Sequence, residues 1–462
     1  MSKKASNNTP NLPVGKKDYR SIDIEIIYPK KHQNAYFEKY KDFKVTTTFD
    51  DPLLNVLNGF ENTPIEGAMM YAQGTSSLEY PVKNLRVKLK GKKFTVRPDI
   101  APVELVTFKA DFMESSGSHN TGAANYIDDL YDSVSMSTPG QKHYKNKDKG
   151  TIVTCIKGHP CVIFWNPGVD ENGNELSRDS SNYKFIGKYN FNLDKATPEP
   201  FGFMHDEEDE DFGYTVNENG EKVNSIYCFE FLDNNEKVCN FIHDPESTYI
   251  GYSVEDPDDK EYEINDKTEQ ERYYDSWYSK RKNEDGEIVH GWMRGFESRY
   301  PEDKDGLNDA DVLYRLASWI NDLYAMRYID NKPEEAIQKF KDEYQGYLDK
   351  EFLLTYYLIT EVLLMADSRV KNMMIATWGK ETREWEIGPE NNKVKKSVTD
   401  YIWYPIFYDM DTMLGLDNIG YVNKNYYDED TDPKVFNGDE ILWEFVRDGL
   451  RNELAEKYND IE

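Results

Sequence analysis

A change of hydrophobic period near residue 300 constrains this chain more than any other feature. Before it, apolar residues alternate or cluster in short β-branched runs. SIDIEII from Ser21 alternates, KVTTTF is β-branched, and NLRVKLKGKKFTV reads as two short strands around Gly91. TIVTCI, PCVIFW, KFIGKYNF, SIYCFEFL and KVCNFI read as further strands, separated by turn segments such as DENGNE, ENGEK, DNNE and NEDGE. One segment, GAANYIDDLYDSVSM, reads as a helix. After residue 300 the spacing becomes helical: Val312, Leu313, Leu316, Trp319, Ile320 and Leu323 fall on one face. Pro333 opens a second helix with acids in its first turn, and Leu353 to Met365 reads as a buried third. NMMIATW and IFYDMD read as strands around a polar excursion, GKETREWEIGPENNKVKKSVTD, and ILWEFVRDGLRNELAEKY is a final helix. The expected fold class is therefore α+β. Residues 1–18, with Pro10, Pro13 and four lysines, read as a flexible arm. Residues 19–300 read as β-rich, and 301–462 as mainly helical with a small β insert.

Charge narrows the function classes. The 462 residues carry 56 Lys and Arg against 86 Asp and Glu, a net charge of −30. Binding nucleic acid or an anionic membrane needs clustered bases, so neither partner is expected. Such acidity alone would read as disorder, but 34 Tyr, 22 Phe and 8 Trp supply large areas to bury. The most apolar window, FLLTYYLITEVLLMA, is too short to span a bilayer, and the N-terminus lacks the apolar stretch of a signal peptide. Four cysteines point to a reducing compartment. Cys155, His159 and Cys161 read as ordinary side chains, because no second pair completes a zinc site. Cys228 and Cys239 flank the hairpin signal LDNNEK. The acidic runs DEEDED (206–211) and DEDTD (428–432) read as solvated loops, and the loop from Asp170 fails the calcium-loop pattern. Against this acidity, Lys83, Arg86, Lys88, Lys90, Lys92 and Lys93 sit together.

Two segments carry candidate chemistry. In ADSRVKNMMIATW, Asp367 and Asn372 follow a buried helix and precede an apolar strand, and PIFYDMDTMLG then places Asp409 and Asp411 at a strand end. Phosphoryl transfer needs a carboxylate to orient the nucleophile and metal ions bridging phosphate oxygens. In protein kinases an Asp, an Asn five positions later and an Asp on a following strand do this. Asp367 and Asn372 are thus the catalytic candidates, and Asp411, Asp409 and Asn372 the metal candidates. The turn Gly74-Thr75-Ser76-Ser77 precedes a strand bearing Lys83 and Arg86. Backbone amides of such a turn and cations on such a strand can face phosphate oxygens, which makes Gly74, Ser76, Ser77, Lys83 and Arg86 the cofactor-binding candidates.

GTSSLEYPVKNLRVKL resembles the "GNSS…PKKSYRIKL" segment of the spore-coat CotH family of atypical protein kinases. LVTFKADFMESSGSHNTGAANYIDDLY is similar to that family's strand, "ADYxD-S" turn and "RN-x-LAY" helix. KFIGKYNFNLDK resembles its "YYGVYLLVEKID" strand, and YPIFYDMDTMLG its "W-x-F-x-PWDYDxSFG" end. These ordered matches span roughly residues 66 to 420. The resemblance implies a two-lobed kinase-like architecture whose N-lobe begins at about residue 66. It also implies ATP and magnesium as cofactors, with Lys83 and Arg86 near phosphates and Asp409 or Asp411 on the metal. Three departures touch that site. Leu193 stands where the family has an acid, between Asn192 and Asp194; His119 replaces the arginine before Asn120; and a polar insert lengthens the stretch from Asp367 to Asp411. Retained fold with weakened or lost activity is the expectation.

The Asn-, Asp- and Tyr-rich composition also resembles that of structural proteins of tailed bacteriophages, including tail and muzzle proteins of crAss-like phages. The resemblance implies a virion location after synthesis in the host cytoplasm. It further implies assembly contacts with other virion proteins and a homo-oligomer or ring. The expected function is a structural or assembly component of a phage tail or tail-tip region on a CotH-like scaffold. The alternative is an active Mg-ATP-dependent Ser/Thr kinase.

Overall fold

The computed structural model describes residues 20–25, 43–47, 65–73, 80, 82–89, 91, 93, 100–112, 114, 116–117, 119–145, 147, 151–166, 172, 174, 177, 180–182, 184–217, 219–231, 278–282, 288–293, 296–301, 310–365, 368–369, 372–389, 391–416 and 441–461. The protein is α+β, with most strands in its first part. Strands β1 (Arg20–Glu25), β2 (Phe43–Thr47), β3 (Ile65–Gln73), β4 (Asn84–Lys88), β5 (Leu105–Lys109), β6 (Gly158–Asn166) and β7 (Lys184–Leu193) form one sheet. Its order is β1-β6-β7-β5-β4-β3-β2; β1 and β6 are parallel and the other neighbours antiparallel. Helices α1 (His119–Ser133) and α2 (Pro139–Tyr144) lie between β5 and β6.

Strand alternation splits this sheet into two faces. On one, Leu85, Val87, Val106, Phe108, Phe191 and Leu193 are buried, and the Phe108 and Phe191 rings lie 5.1 Å apart. On the other, the register places Arg86 opposite Thr107 and Thr107 opposite Asn192, with Lys109 opposite Asn190. Gly158 lies across from Asn192, and a Cβ there would fall 2.1 Å from Asn192 Oδ1, so this close approach requires glycine.

β8 (Tyr214–Val216) and β9 (Lys222–Asn224) form a small hairpin. β10 (Tyr227–Phe231) opens a second sheet, and β11 (Tyr278–Lys282) and β12 (Ile288–Met293) pair with each other. With β13 (Phe296–Tyr300), β14 (Met373–Thr377) and β17 (Tyr404–Phe407), β10 completes the order β13-β10-β14-β17. Every residue of β10, β14 and β17 is buried, which is why these strands read as continuous apolar runs. Pro405, which has no N–H to donate, sits on the edge strand β17. The polar excursion forms β15 (Lys380–Ile387) and β16 (Val394–Tyr401), a hairpin of its own.

The helical period of the second part is realised in α3 (Ala310–Tyr324), which buries Leu313, Leu316, Ile320 and Leu323. It continues as a π-helical segment, Ala325–Ile329, and α4 (Pro333–Glu343) begins at its proline. α5 (Lys350–Val362) is capped by Asp349, whose side chain accepts from Phe352 N–H at 3.1 Å, and residues 352–360 are buried on all sides. The expected final helix is broken at Leu450 into α6 (Ile441–Gly449) and α7 (Arg451–Ile461).

Some expectations need correction. TIVTCI is not a strand: only Thr151 and Cys155 form isolated bridges, and Val153 N–H donates instead to Pro200 O at 2.7 Å. Strand pairing in IFYDMD stops at Phe407, so the two-residue alternation of a strand does not govern Asp409 and Asp411. KVCNFI, the second arm of the Gly91 pair and the residue 1–18 arm lie outside the described residues. So does Cys239; Cys155 and Cys228 are buried, and the Cys155 thiol donates to Ala124 O at 3.2 Å.

Arg369 fastens the loop after α5. Completely buried, it donates from Nε to Thr360 Oγ1 (2.8 Å), from Nη1 to Glu361 Oε1 (2.8 Å) and from Nη2 to Tyr357 O (2.9 Å). Arg369→Ala strands these acceptors and lowers unfolding free energy by about 3 kcal/mol in denaturant titration. Thr382→Ala on the exposed hairpin changes it by less than about 0.5 kcal/mol. Equal losses would contradict this ranking.

Candidate functional site

A polar cleft opens between the mixed face of the first sheet and the segment that follows β17. Its floor is the row of β5 and β7 side chains, Thr107, Lys109 and Asn192, continued by Asp194 and Lys195 beyond the end of β7; its far wall is Tyr408 and Asp409. It encloses about 250 Å³, mouth included.

Lys109 is the centre of charge. Its Nζ lies 3.5 Å from Asp409 Oδ2, with both side chains largely buried. Burial works against the ammonium, but Asp409, Tyr408, Asp411 and Asp111 outweigh it, and the Lys109 pKa stands well above the ordinary lysine value. Asp409 Oδ1 has no partner among the described residues. Asn192 Oδ1 is likewise buried and unpaired there.

A second pair lies along the same face. Arg86 Nη2 donates to Asp194 Oδ1 at 2.5 Å, Thr107 Oγ1 donates to Asp194 Oδ2 at 2.6 Å, and Ala196 N–H donates to Oδ1 at 2.9 Å. Burial pushes the Asp194 carboxyl up, but Arg86 and these hydrogen bonds prevail and hold it below the usual range. A third group follows: Lys195 donates to Glu230 Oε1 at 2.6 Å and lies 4.4 Å from the Tyr408 ring centroid, while Arg299 Nε holds the other Glu230 oxygen.

The turn after β5 ties this cleft to the second part of the chain. Asp111, at φ 42°, accepts from Asn190 Nδ2 and from Asn120 Nδ2, the latter at 3.4 Å. Asn120 Oδ1 in turn accepts from Met410 N–H at 2.8 Å. Glu114 caps α1 by accepting from His119 N–H at 2.7 Å, and His119 Nδ1 lies 3.1 Å from Asp411 O. Ser368 Oγ donates to Asp409 O at 3.2 Å.

The predicted residues fare unequally. Asp409 lines the cleft, Arg86 holds Asp194 of its lining, and Asp411 stands close enough to act on Lys109. Lys83 lies before β4 and donates to Tyr80 O at 2.5 Å. Asn372, at φ 56°, donates its N–H to Phe231 O at 3.2 Å and does not line the cleft. Asp367, Gly74, Ser76 and Ser77 lie outside the described residues. Of the clustered bases, Arg86 pairs with Asp194, whereas Lys93 pairs with Glu199 at 2.5 Å. Sequence reasoning missed Lys109, Asp111, Asn190 and the role of Asp194. A signal existed for Lys109, a lone lysine ending the apolar strand LVTFK. Among the described residues, no three His, Cys, Asp or Glu side chains gather as a metal site, and no described helix is long and apolar enough to cross a membrane.

No protein-family model matches the chain, and no curated protein matches it.

Asp111 reports on this site directly. Burial raises its pKa to about 6, against the opposing pull of Lys109 and the Asn190 hydrogen bond. Because the folded value is raised, the group favours the folded state below the ordinary aspartate pKa, and that contribution is lost as pH rises through about 6. Carboxyl carbon NMR should find its midpoint near that value, and Lys109→Met should move the midpoint higher. An ordinary aspartate midpoint, or a downward move, would contradict the assignment.

Proposed function

We propose that this chain is a structural or assembly component of a tailed-phage virion, built on a CotH-like, kinase-like scaffold whose catalysis is weakened or lost. The observation that carries the reading of the cleft is that each base in or beside its lining already has an acid of this chain. Lys109 faces Asp409, Arg86 is held by Asp194, and Lys195 by Glu230. A cleft whose bases are already neutralised by this chain's own acids has little positive charge left for a phosphate. The acidic, aromatic-rich composition supports the assembly reading, since acidity keeps a large protein soluble and Tyr and Trp anchor interfaces.

The second reading is an active Mg-ATP-dependent protein kinase, with ATP and magnesium in this cleft. The Arg86–Asp194 pair favours it, because it puts an acid beside the missing one at Leu193 and joins it to a strand cation, as an ordered phosphate site requires. Lys109 and Asp409 would then face the phosphates and the metal.

Two measurements separate the readings. Antibody labelling of purified particles of the encoding phage should find the chain in the virion, and radiolabelled ATP with magnesium should give no phosphate transfer to the chain or to added protein. Absence from particles would overturn the assembly reading. Transfer that disappears in both Asp409→Asn and Asp411→Ala would establish the kinase instead.

A further inference from the structure

The β15–β16 hairpin is an arm with two open edges. Among the described residues it forms a two-stranded sheet that no other strand joins. Eight residues per strand give it a length of about 27 Å. The arm is fixed to the helical part at its root and along β15. Trp385 Nε1 donates to Asp342 O at 2.8 Å, Arg383 Nη2 reaches Asp349 Oδ2 at 3.0 Å, and Arg315 Nε meets Asp400 Oδ2 at 3.1 Å. In the outer half Trp385 is the one such anchor among the described residues, and the charged side chains face solvent. Glu384, Glu386, Lys393, Lys395 and Lys396 are exposed there, and Val394 is 51% exposed.

The charges on this outer half are sorted by strand. β15 carries Glu384 and Glu386, whereas Lys393 precedes β16 and Lys395 and Lys396 lie on it. Lys393 pairs with Glu386 at 3.3 Å; Glu384, Lys395 and Lys396 form no ion pair among the described residues. Three bases among four consecutive residues stand out on a chain of net charge −30. One edge of the arm is acidic and the other basic.

An exposed strand edge presents unpaired N–H and C=O groups that accept another strand. We infer that the arm pairs edge to edge with the arm of a second copy of this chain, the basic β16 edge of one copy against the acidic β15 edge of the next. Because β15 and β16 are antiparallel, stacking arms by translation makes each new junction antiparallel as well. Repeating the arm's own register would set Glu386 of one copy opposite Lys395 of the next. The alternatives lose on charge. A two-fold pairing of β16 with β16 opposes lysines, and β15 with β15 opposes glutamates, both unfavourable across a strand pair. The favoured contact is therefore head-to-tail, which closes into a ring or extends as a filament. A single strand edge buries little area, so each contact is weak and assembly grows with concentration. This inference deepens the assembly reading above by naming a partner.

Charge exchange tests it. Sedimentation velocity on the full chain is run into the high-micromolar range, at an ionic strength giving a Debye length of about 8 Å so that repulsion between the acidic bodies is screened. The wild type should form integer multiples of the monomer. Lys395→Glu with Lys396→Glu makes both edges acidic, and Glu384→Lys with Glu386→Lys makes both basic, so each double variant alone should stay monomeric. Their equimolar mixture should assemble again, because acidic and basic edges then alternate, and only folded arms allow that rescue. A monomeric wild type, a variant that assembles alone as the wild type does, or a mixture that stays monomeric would each overturn the contact. Such a failure leaves the virion reading to particle labelling, since virion proteins also assemble on unlike neighbours.

Discussion

The cleft depends on one constraint: a lysine at the end of an apolar strand, buried between two sheets, must be neutralised by acids brought from elsewhere. Removing an ammonium from water costs several kcal/mol unless opposite charge meets it. For Lys109 that charge comes from both parts of the chain, Asp111 from the turn after β5 and Asp409 and Asp411 from the segment after β17. The lysine therefore sets where the second sheet can sit against the first. Asn120 reinforces the junction, linking the Asp111 carboxyl to the Met410 amide through one side chain.

The same economy of charge bears on function. Arg86 with Asp194, and Lys195 with Glu230 and Arg299, repeat the solution found at Lys109. Cations and acids are held in fixed register, an arrangement that braces the sheet and leaves the bases neutralised. Buried charge networks hold one arrangement of the chain against others, and a protein that positions neighbours in an assembly benefits from such rigidity. In the arm the logic reverses. There Glu384, Lys395 and Lys396 face solvent and form no ion pair among the described residues.

Much of the framework was legible before any coordinates. Leu85 and Val87 alternate with Arg86 and Lys88 in β4, and the α3 stripe of Leu313, Leu316, Ile320 and Leu323 is helical by spacing alone. Asp409 was legible as a strand-end acid. The rest was hidden for physical reasons. Arg86 and Asp194 are 108 positions apart, and only sheet register brings them together. Asn190 looks like an ordinary polar residue until sheet register buries it and its amide donates to Asp111 and to Gly117 O. TIVTCI has strand composition, yet Val153 bonds to the Pro200 carbonyl in place of a full ladder. KETREWEI reads as a polar excursion because its alternation sets half-buried Arg383, Trp385 and Ile387 against charges, and both faces include polar residues.

The central claim is that Lys109 and Asp409 form one coupled unit joining the two parts of the chain, and a double-mutant cycle tests it most directly. Lys109→Met, Asp409→Asn and the double variant are compared with the wild type by denaturant unfolding. The account predicts a coupling energy of about 1–3 kcal/mol, with the double variant less destabilised than the two single losses added together. Simple additivity would show that the two charges do not sense one another, and would contradict the cleft described above.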